Sequence, residues 1–247
     1  MTEHRVAIIQ SSYIPWKGYF DIIRNVDTFI FYDDVQFTRQ DWRTRNRIKT
    51  ANGLAWLSIP AGSRIDRLIC EVELTSSEWQ KKHWTSISQS YAKAPWFKSY
   101  RELFEPIYLG RKWTSLSELN QHLIQSISRE ILKLTTEFRD SREYEVEGSR
   151  QDRLLNLLMA AGATDYLSGP SASSYIDPAA FAEKSIGLVY QDYSSYPAYP
   201  QLHPPFEHYV SVLDLIFNTG PKAADYIWGY RDNAESGNGA SSTQGHA

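Results

Sequence analysis

Short apolar runs of β-branched and aromatic residues alternate with a helical pattern along the first part of the chain. Residues 6–9 are apolar at every position, which is typical of a strand covered on both faces of a sheet. After Pro15, apolar residues recur at helical spacing, and residues 28–32 predict a second strand. The spacing suits a strand–helix–strand crossover, so we expect these two strands to be parallel neighbours.

The middle of the chain changes from a strand pattern to a helical one. Residues 54–59 and 67–74 alternate between apolar and polar positions and predict two more strands. Residues 76–134 are helical in pattern, and the longest helix is predicted over residues 120–134.

A second alternation of helix and strand follows. Residues 153–161 predict a helix, residues 166–168 a strand, residues 188–191 another strand and residues 208–217 a final helix. Residues 192–205 are rich in Tyr and Pro and predict an extended, ordered loop, whereas residues 232–247 have the composition of a disordered tail.

These elements predict an α/β fold with a Rossmann-like, mainly parallel sheet flanked by helices. We expect one domain over residues 1–231, with a helical middle subdomain at about residues 76–134.

Composition and charge exclude several classes of partner. The net charge of −3 offers no basic field for nucleic acid or an anionic membrane, so we expect small molecules or proteins as partners. Neither a secretory signal nor an apolar run of roughly 18 residues is present, which predicts a cytoplasmic protein without a membrane span. The single cysteine, Cys70, cannot form an internal disulfide and is interpreted as a core residue.

The first candidate cluster follows the first strand, where ligands gather in open α/β sheets. Gln10 ends that strand, Lys17 offers a charge to an anion, and Tyr13 and Trp16 complete the substrate-binding candidates. Each aromatic residue of this segment fits a position in the core equally well.

The second cluster follows the second strand. Asp33 and Asp34 are expected at the same sheet end as Gln10, where one carboxylate could orient an amine or bind Mg²⁺ while the other caps a turn. Gln36 and Asn46 are further binding candidates. Arg43, Arg45 and Arg47 are spaced by two, so on an extended segment they share one face and could hold a phosphate or carboxylate. Ordinary surface ion pairs explain them equally well.

The third cluster lies in the Tyr- and Pro-rich segment. His203, Glu207 and His208 bring two imidazoles and a carboxylate within six residues, and they could supply a general base with its orienting partner. We expect the loop to fold back so that one of them lines the same pocket as Asp33 and Arg45. His208 also fits a capping or packing role, and the spacing of the two histidines differs from that of a zinc-binding helix, so no metal ligand is assigned.

Motifs of three large enzyme classes are missing from the sequence. No glycine-rich dinucleotide fingerprint, P-loop or serine nucleophile elbow occurs. These absences disfavour dinucleotide-dependent redox chemistry, P-loop phosphoryl transfer and serine hydrolysis.

Taken together, these motifs resemble the WbqC-like family over nearly the whole chain. The resemblance is carried by residues 6–20 and 32–37, by Trp42 with residues 45–48, and by residues 166–172, 199–208 and 213–220. Many members have Gln-Pro where this chain has Gln10-Ser11, which predicts a less rigid loop here. The family is associated with bacterial surface-polysaccharide and natural-product gene clusters, which implies work on an amino sugar, a sugar nucleotide or a small amine.

A weaker similarity connects the first strands with nucleotidyltransferase-like Rossmann folds. Those enzymes use an HxGH motif, where this chain has Trp16-Lys17-Gly18-Tyr19, so only the topology is carried over.

The resulting hypothesis is a transferase that forms an amide or related bond on an amino sugar or small amine. Asp33 or Asp34 would orient the amine, Arg45 and Arg47 would hold an anionic group, and His203 would move a proton. The alternatives are nucleotidyl transfer, with Mg²⁺ and a nucleotide as cofactors, and a non-catalytic binding protein of a glycan-assembly complex.

Overall fold

The computed structural model of the protein describes residues 3–232. The predicted tail lies outside these residues except for Asp232. Seven strands are described: β1 Arg5–Ile9, β2 Thr28–Phe31, β3 Arg45–Thr50, β4 Gly53–Ser58, β5 Glu137–Asp140, β6 Asp165–Ser168 and β7 Gly187–Tyr190. The α-helices are α1 Lys17–Arg24, α2 Glu78–Tyr91, α3 Phe97–Glu105, α4 Leu116–Ser126, α5 Arg150–Ala160, α6 Pro178–Glu183 and α7 Val212–Thr219.

Five strands form one parallel sheet in the order β5-β2-β1-β6-β7. The first strand, β1, lies in the middle of the sheet. β2 and β5 follow on one side of it, and β6 and β7 are added on the other side. This is a doubly wound arrangement, and the predicted Rossmann-like α/β class is confirmed. The predicted parallel pairing of the first two strands is also confirmed, with Ile9 opposite Phe31 at their carboxyl ends.

Both faces of the sheet are covered, as the uniform apolar runs predict. Ala7, Phe29 and Phe31 belong to the larger core cluster, which includes α1 and the helical middle of the chain. Val6 and Ile8 point to the other face and pack in a second cluster with residues of α5 and α6. Among the described residues, no helix combines the length and apolarity needed to cross a bilayer.

Several predicted elements were wrong in detail. Residues 67–74 form a short 3-10 turn, Ile69–Glu71, held between isolated bridges, and not a strand. The helix predicted over residues 120–134 begins earlier, at Leu116, and its last turn widens into a π-helical turn at Ile127–Ile131. The final helix starts at Val212 because residues 202–211 form an irregular loop.

Two strands were missed. β5 is short and carries charged residues at three of its four positions, because it lies at the edge of the sheet. β3 pairs with β4 as an antiparallel hairpin outside the main sheet.

The helical middle packs on the loop after β1 through a buried polar contact. The Tyr13 hydroxyl lies 2.8 Å from Nδ1 of His83 and 2.7 Å from the Tyr108 hydroxyl. All three side chains are buried. Burial disfavours the charged imidazolium and lowers the pKa of His83 to about 4.

The buried His83 should make the fold sensitive to acid. Its pKa is about 4 in the folded chain but about 6.5 in an unfolded one, so between these values the unfolded state alone takes up the proton. Stability is therefore full above pH 6.5 and falls as pH drops towards 4, by up to ~3 kcal/mol from this residue. We expect His83→Gln to flatten the pH dependence of the unfolding free energy in urea. If the unfolding free energies of the wild type and His83→Gln changed equally with pH, the lowered pKa would not belong to His83.

Candidate active site

A cleft of about 1270 Å³ opens at the carboxyl ends of β1 and β6. These strands are parallel neighbours, yet they pair only at Arg5–Asp165 and Val6–Tyr166, whereas β1 pairs with β2 over four positions. The shorter pairing leaves the two carboxyl ends unpaired with each other. The strand order reverses here, which is where doubly wound sheets bind ligands.

The loop from Gln10 to Trp16 forms one wall of the cleft, and hydrogen bonds from other parts of the chain hold its backbone. The Asp33 carboxylate accepts the Ser11 N–H at 2.8 Å, and the Tyr13 N–H donates to the carbonyl of Trp42 at 2.9 Å. The Asn46 amide donates to the carbonyls of Tyr13 and Ile14 at 3.1 and 2.9 Å. Ile14 has a φ of 37°, which is unfavourable for a β-branched residue, so these bonds hold a strained backbone in place.

The packing of Trp16 in the same wall leaves no room for a side chain at Gly18. A Cβ atom at this position would lie 2.4 Å from the indole of Trp16. Trp16 lines the cleft and is surrounded by the rings of Tyr193, Tyr196 and Tyr209 at 5.1 to 5.9 Å between centroids. Its orientation is therefore fixed by packing.

The charges of the cleft have one sign. Three arginines line it, Arg43, Arg47 and Arg150, while no Asp, Glu, His or Lys does within residues 3–232. The buried Nε atoms of Arg43 and Arg47 form no hydrogen bond in the described chain, although Nε of Arg43 lies 3.7 Å from the Asp41 carboxylate and Arg47 donates to the carbonyl of Tyr209 at 2.8 Å. Arg150 opens helix α5, whose first N–H groups add partial positive charge. The cleft therefore suits an anion.

The remaining lining is aromatic and neutral polar. Tyrosines come from helix α1, from β6, from the position after β2 and from two loops, and burial raises the pKa of Tyr166 to about 12. Ser12, Ser168 and Ser171 supply hydroxyl groups near the strand ends. The lining can bind a planar group and accept or donate hydrogen bonds, but near neutral pH it exchanges no proton readily.

Four of the predicted binding residues meet in this cleft. Gln10, Trp16, Asn46 and Arg47 line it, and the Gln10 side chain accepts a hydrogen bond from Arg43. Arg45 lies just outside, with its guanidinium 4.4 Å from the ring centre of Trp56.

Other residues of the first two clusters hold the structure together. Tyr13 is in the core, and the Asp33 carboxylate is fully buried, with donors from Ser11, Ser117 and Gln121. Asp34 forms an ion pair with Arg153, and the exposed Gln36 donates to the carbonyl of Ile65 at 3.4 Å.

Lys17 faces away from the cleft and holds two other segments. Its amine donates to the carbonyls of Pro197 and Tyr226 at 3.3 and 3.2 Å. Burial lowers its pKa to about 8, although the Asp21 carboxylate opposes that effect. Lys17 is therefore part of the packing of the Tyr/Pro loop and does not lie beside the cleft arginines.

The third cluster does not converge on the cleft. His203 lies with Nε2 3.2 Å from the carbonyl of Ser90, and Glu207 accepts the N–H of Tyr209 at 2.8 Å. The His208 ring packs edge-on against Phe206 at 4.5 Å, and burial lowers its pKa. None of the three lines the cleft. The expected convergence of this cluster with the cleft is not seen, and of the tyrosines in residues 192–205 only Tyr193 lines the cleft.

The sequence interpretation missed the contribution of β6 and the segment after it. Tyr166, Ser168 and Gly169 line the cleft opposite the Gln10 loop, and Arg150 and Tyr175 complete that side. The signal is present in the sequence, because residues 166–168 predict a strand. A parallel strand next to β1 brings its carboxyl end to the same edge as Gln10.

These features define a Rossmann-like α/β protein with a large cationic and aromatic cleft at the switch point of its sheet. The chain belongs to the WbqC-like protein family, whose family model matches residues 10–226. It is similar to an uncharacterized protein of Mycobacterium tuberculosis (strain ATCC 25618 / H37Rv), Rv1507c, at 45% identity over 225 residues, which is 90% of this chain and 97% of that protein. No solved structure gives a significant match.

Asp33→Asn should weaken the fold because it removes a buried charge that three donors surround. We expect a loss of about 3 kcal/mol in unfolding free energy, measured in urea. Ser117→Ala removes one of these donors and should cost about 1 kcal/mol. An Asp33→Asn protein as stable as the wild type would show that the carboxylate does not hold the loop.

His203→Ala separates a structural role from a catalytic one. The contact with Ser90 predicts a loss of about 1 kcal/mol in stability and unchanged turnover per folded molecule. A loss of turnover of roughly 10²-fold or more, with stability retained, would instead assign His203 to proton transfer.

Proposed function

We propose that this protein is a cytoplasmic small-molecule transferase whose cleft binds an anionic donor and joins it to an amino sugar or small amine. The observation that carries the proposal is the set of three arginines in a cleft without a described carboxylate. Guanidinium groups bind phosphate and carboxylate through paired hydrogen bonds, and the exposed Arg150 side chain has no hydrogen bond or ion pair to the described chain.

The acceptor half of the proposal comes from the family. The resemblance to proteins associated with surface-polysaccharide and natural-product biosynthesis supports an amine as the acceptor. A cleft with cationic side chains repels an ammonium ion, so the amine would react in its neutral form.

In this proposal the amine nitrogen attacks the acyl carbon of the donor. The new C–N bond forms as the bond from that carbon to an anionic leaving group breaks, and the amine proton passes to the leaving group or to water. The arginines would stabilise the charge that develops on the leaving group. The rigid wall formed by residues 10–16 would fix the position of the two substrates.

Nucleotidyl transfer with Mg²⁺ is less well supported. Within the described chain, no group of three or more His, Cys, Asp or Glu residues could hold a metal ion. Asp33 and Asp34, the carboxylates at the end of β2, already accept hydrogen bonds or ion pairs from protein side chains. These residues do not fit a Mg²⁺ site, so no step through the metal is proposed.

A second candidate function is a non-catalytic binding protein of an assembly complex. It is favoured by one observation: the described lining offers arginines, tyrosines and hydroxyls but neither carboxylate nor imidazole. Such a cleft can bind an anion without supplying general acid–base catalysis.

Arg150→Gln tests the anion site with a residue that is exposed and needed for no described hydrogen bond. We expect pyrophosphate, titrated by calorimetry at low salt, to bind about tenfold more weakly to this variant. Arg139→Gln is the matched control, because Arg139 lies on β5 and pairs with Glu137 and Glu143.

Equal affinities of Arg150→Gln and the wild type would contradict an anion site in the cleft. Retained affinity with no turnover of any amine acceptor would favour the binding protein over the transferase.

A further inference from the structure

Two exposed tryptophans lie side by side next to the mouth of the cleft. The side chains of Trp42 and Trp56 are each 47% exposed, and their ring centres are 5.8 Å apart at an angle of 34°. Large aromatic side chains with this exposure are unusual on a protein surface, and a pair of them indicates a binding surface.

Two arginines complete this surface. Arg45 and Arg47 alternate with the buried Asn46 and Ile48 along β3, so they share the outward face of the hairpin. Their guanidinium groups lie 4.4 and 5.5 Å from the ring centre of Trp56. The Arg45 side chain makes no hydrogen bond or ion pair to the described chain beyond its stacking on Trp56. Trp42, Arg45, Arg47 and Trp56 are called the hairpin platform below.

The hairpin platform is continuous with the cleft. Trp42 and Arg47 line the cleft as well as contacting Trp56. A ligand bound in the cleft therefore reaches the platform without crossing a gap. The shared residue Arg47 stands between the two parts and can contact both.

The side chains of the platform favour a ligand in which a planar ring is joined to an anionic group. The exposed parts of the Trp42 and Trp56 indoles can stack on a planar ring, and the Arg45 guanidinium, which lies over the Trp56 ring, can bind phosphate. A hydroxyl-rich sugar ring also needs acceptors, whereas the platform consists of two guanidinium groups, which are pure donors, and two indoles. A nucleoside phosphate meets these conditions better than a neutral sugar.

We propose that the hairpin platform binds the nucleoside diphosphate half of the donor, whose terminal phosphate oxygen carries the acyl group and leaves with the diphosphate, with the base against the tryptophans and the phosphates at Arg45 and Arg47. The group to be transferred would then lie inside the cleft. This inference rests on the proposed function, since it assigns the donor of that same reaction to the class of nucleotide-activated compounds.

The test compares uridine diphosphate, adenosine diphosphate and pyrophosphate by calorimetric titration of the full chain. We expect both nucleotides to bind more tightly than pyrophosphate. Trp42→Ala and Trp56→Ala should each weaken the nucleotides by about tenfold and leave pyrophosphate unchanged, because a stacked base contributes that much. Trp42→Phe, which keeps an aromatic face, should retain most of the affinity.

Arginine variants separate the charge from the ring. Arg45→Gln should weaken the nucleotides and pyrophosphate alike. Arg111→Gln is the matched control, because Arg111 also stacks on a tryptophan, Trp113 at 3.9 Å, but lines no part of the cleft. Thermal unfolding confirms that each variant is folded.

The outcomes distinguish this inference from the proposed function. Nucleotides that bind no better than pyrophosphate, or that are insensitive to both tryptophan variants, would overturn the inference and leave the anionic cleft intact. Loss of nucleotide affinity in Trp42→Ala, with Arg150→Gln unchanged towards pyrophosphate, would support the platform and overturn the proposed function. No binding of any of the three probes would overturn both.

Discussion

The buried carboxylate of Asp33 is the contact on which the geometry of the cleft depends. It lies at the end of β2, excluded from water, and accepts hydrogen bonds from the Ser11 N–H and from Ser117 and Gln121 of helix α4. Its own carbonyl accepts the N–H of Cys70. A buried charge is stable only when donors surround it, so the segments that supply these donors are obliged to meet there. The loop after β1 is thereby fixed before any ligand arrives.

Two further carboxylates hold the Tyr/Pro loop in the same way. Asp21 accepts the Tyr196 hydroxyl at 2.6 Å, and Asp214 accepts the hydroxyls of Tyr91 and Tyr199 at 2.9 and 2.8 Å. Both carboxylates are buried. Burial raises the pKa of Asp214, while the tyrosine donors oppose that effect. The loop is therefore a fixed part of the structure, and Tyr193, the residue of this loop that lines the cleft, is held in position with it.

Much of the fold could be predicted because the strands are buried on both faces. Residues 6–9 and 28–32 are apolar throughout, and such runs have few alternatives to a central parallel sheet. β5 was not predicted because it is an edge strand with charged side chains, which lacks the apolar pattern of a buried strand. A strand was wrongly predicted over residues 67–74 because apolar and polar residues also alternate in a turn that packs on the core.

The candidate site was predictable in part for a related reason. Gln10, Trp16, Asn46 and Arg47 follow or flank strands whose pairing the sequence implies, and these four line the cleft. Asp33 and His203 have the chemistry of catalytic groups, but whether such a group faces a cleft or a backbone carbonyl depends on contacts across the chain. The sequence around a residue does not predict such contacts with distant residues. Here Asp33 accepts a hydrogen bond from Ser117, and His203 contacts the carbonyl of Ser90.

The cleft carries a charge opposite to that of the whole chain, and this affects how a ligand is captured. The net charge is −3, whereas the charged residues lining the cleft are three arginines. At physiological salt the Debye length is about 8 Å, so an anion feels the arginines only when it is close to the mouth. The field of the whole protein does not guide anions in from a distance. For the proposed anionic ligand, discrimination would therefore take place after encounter, and the rate of dissociation rather than the rate of association would set the affinity.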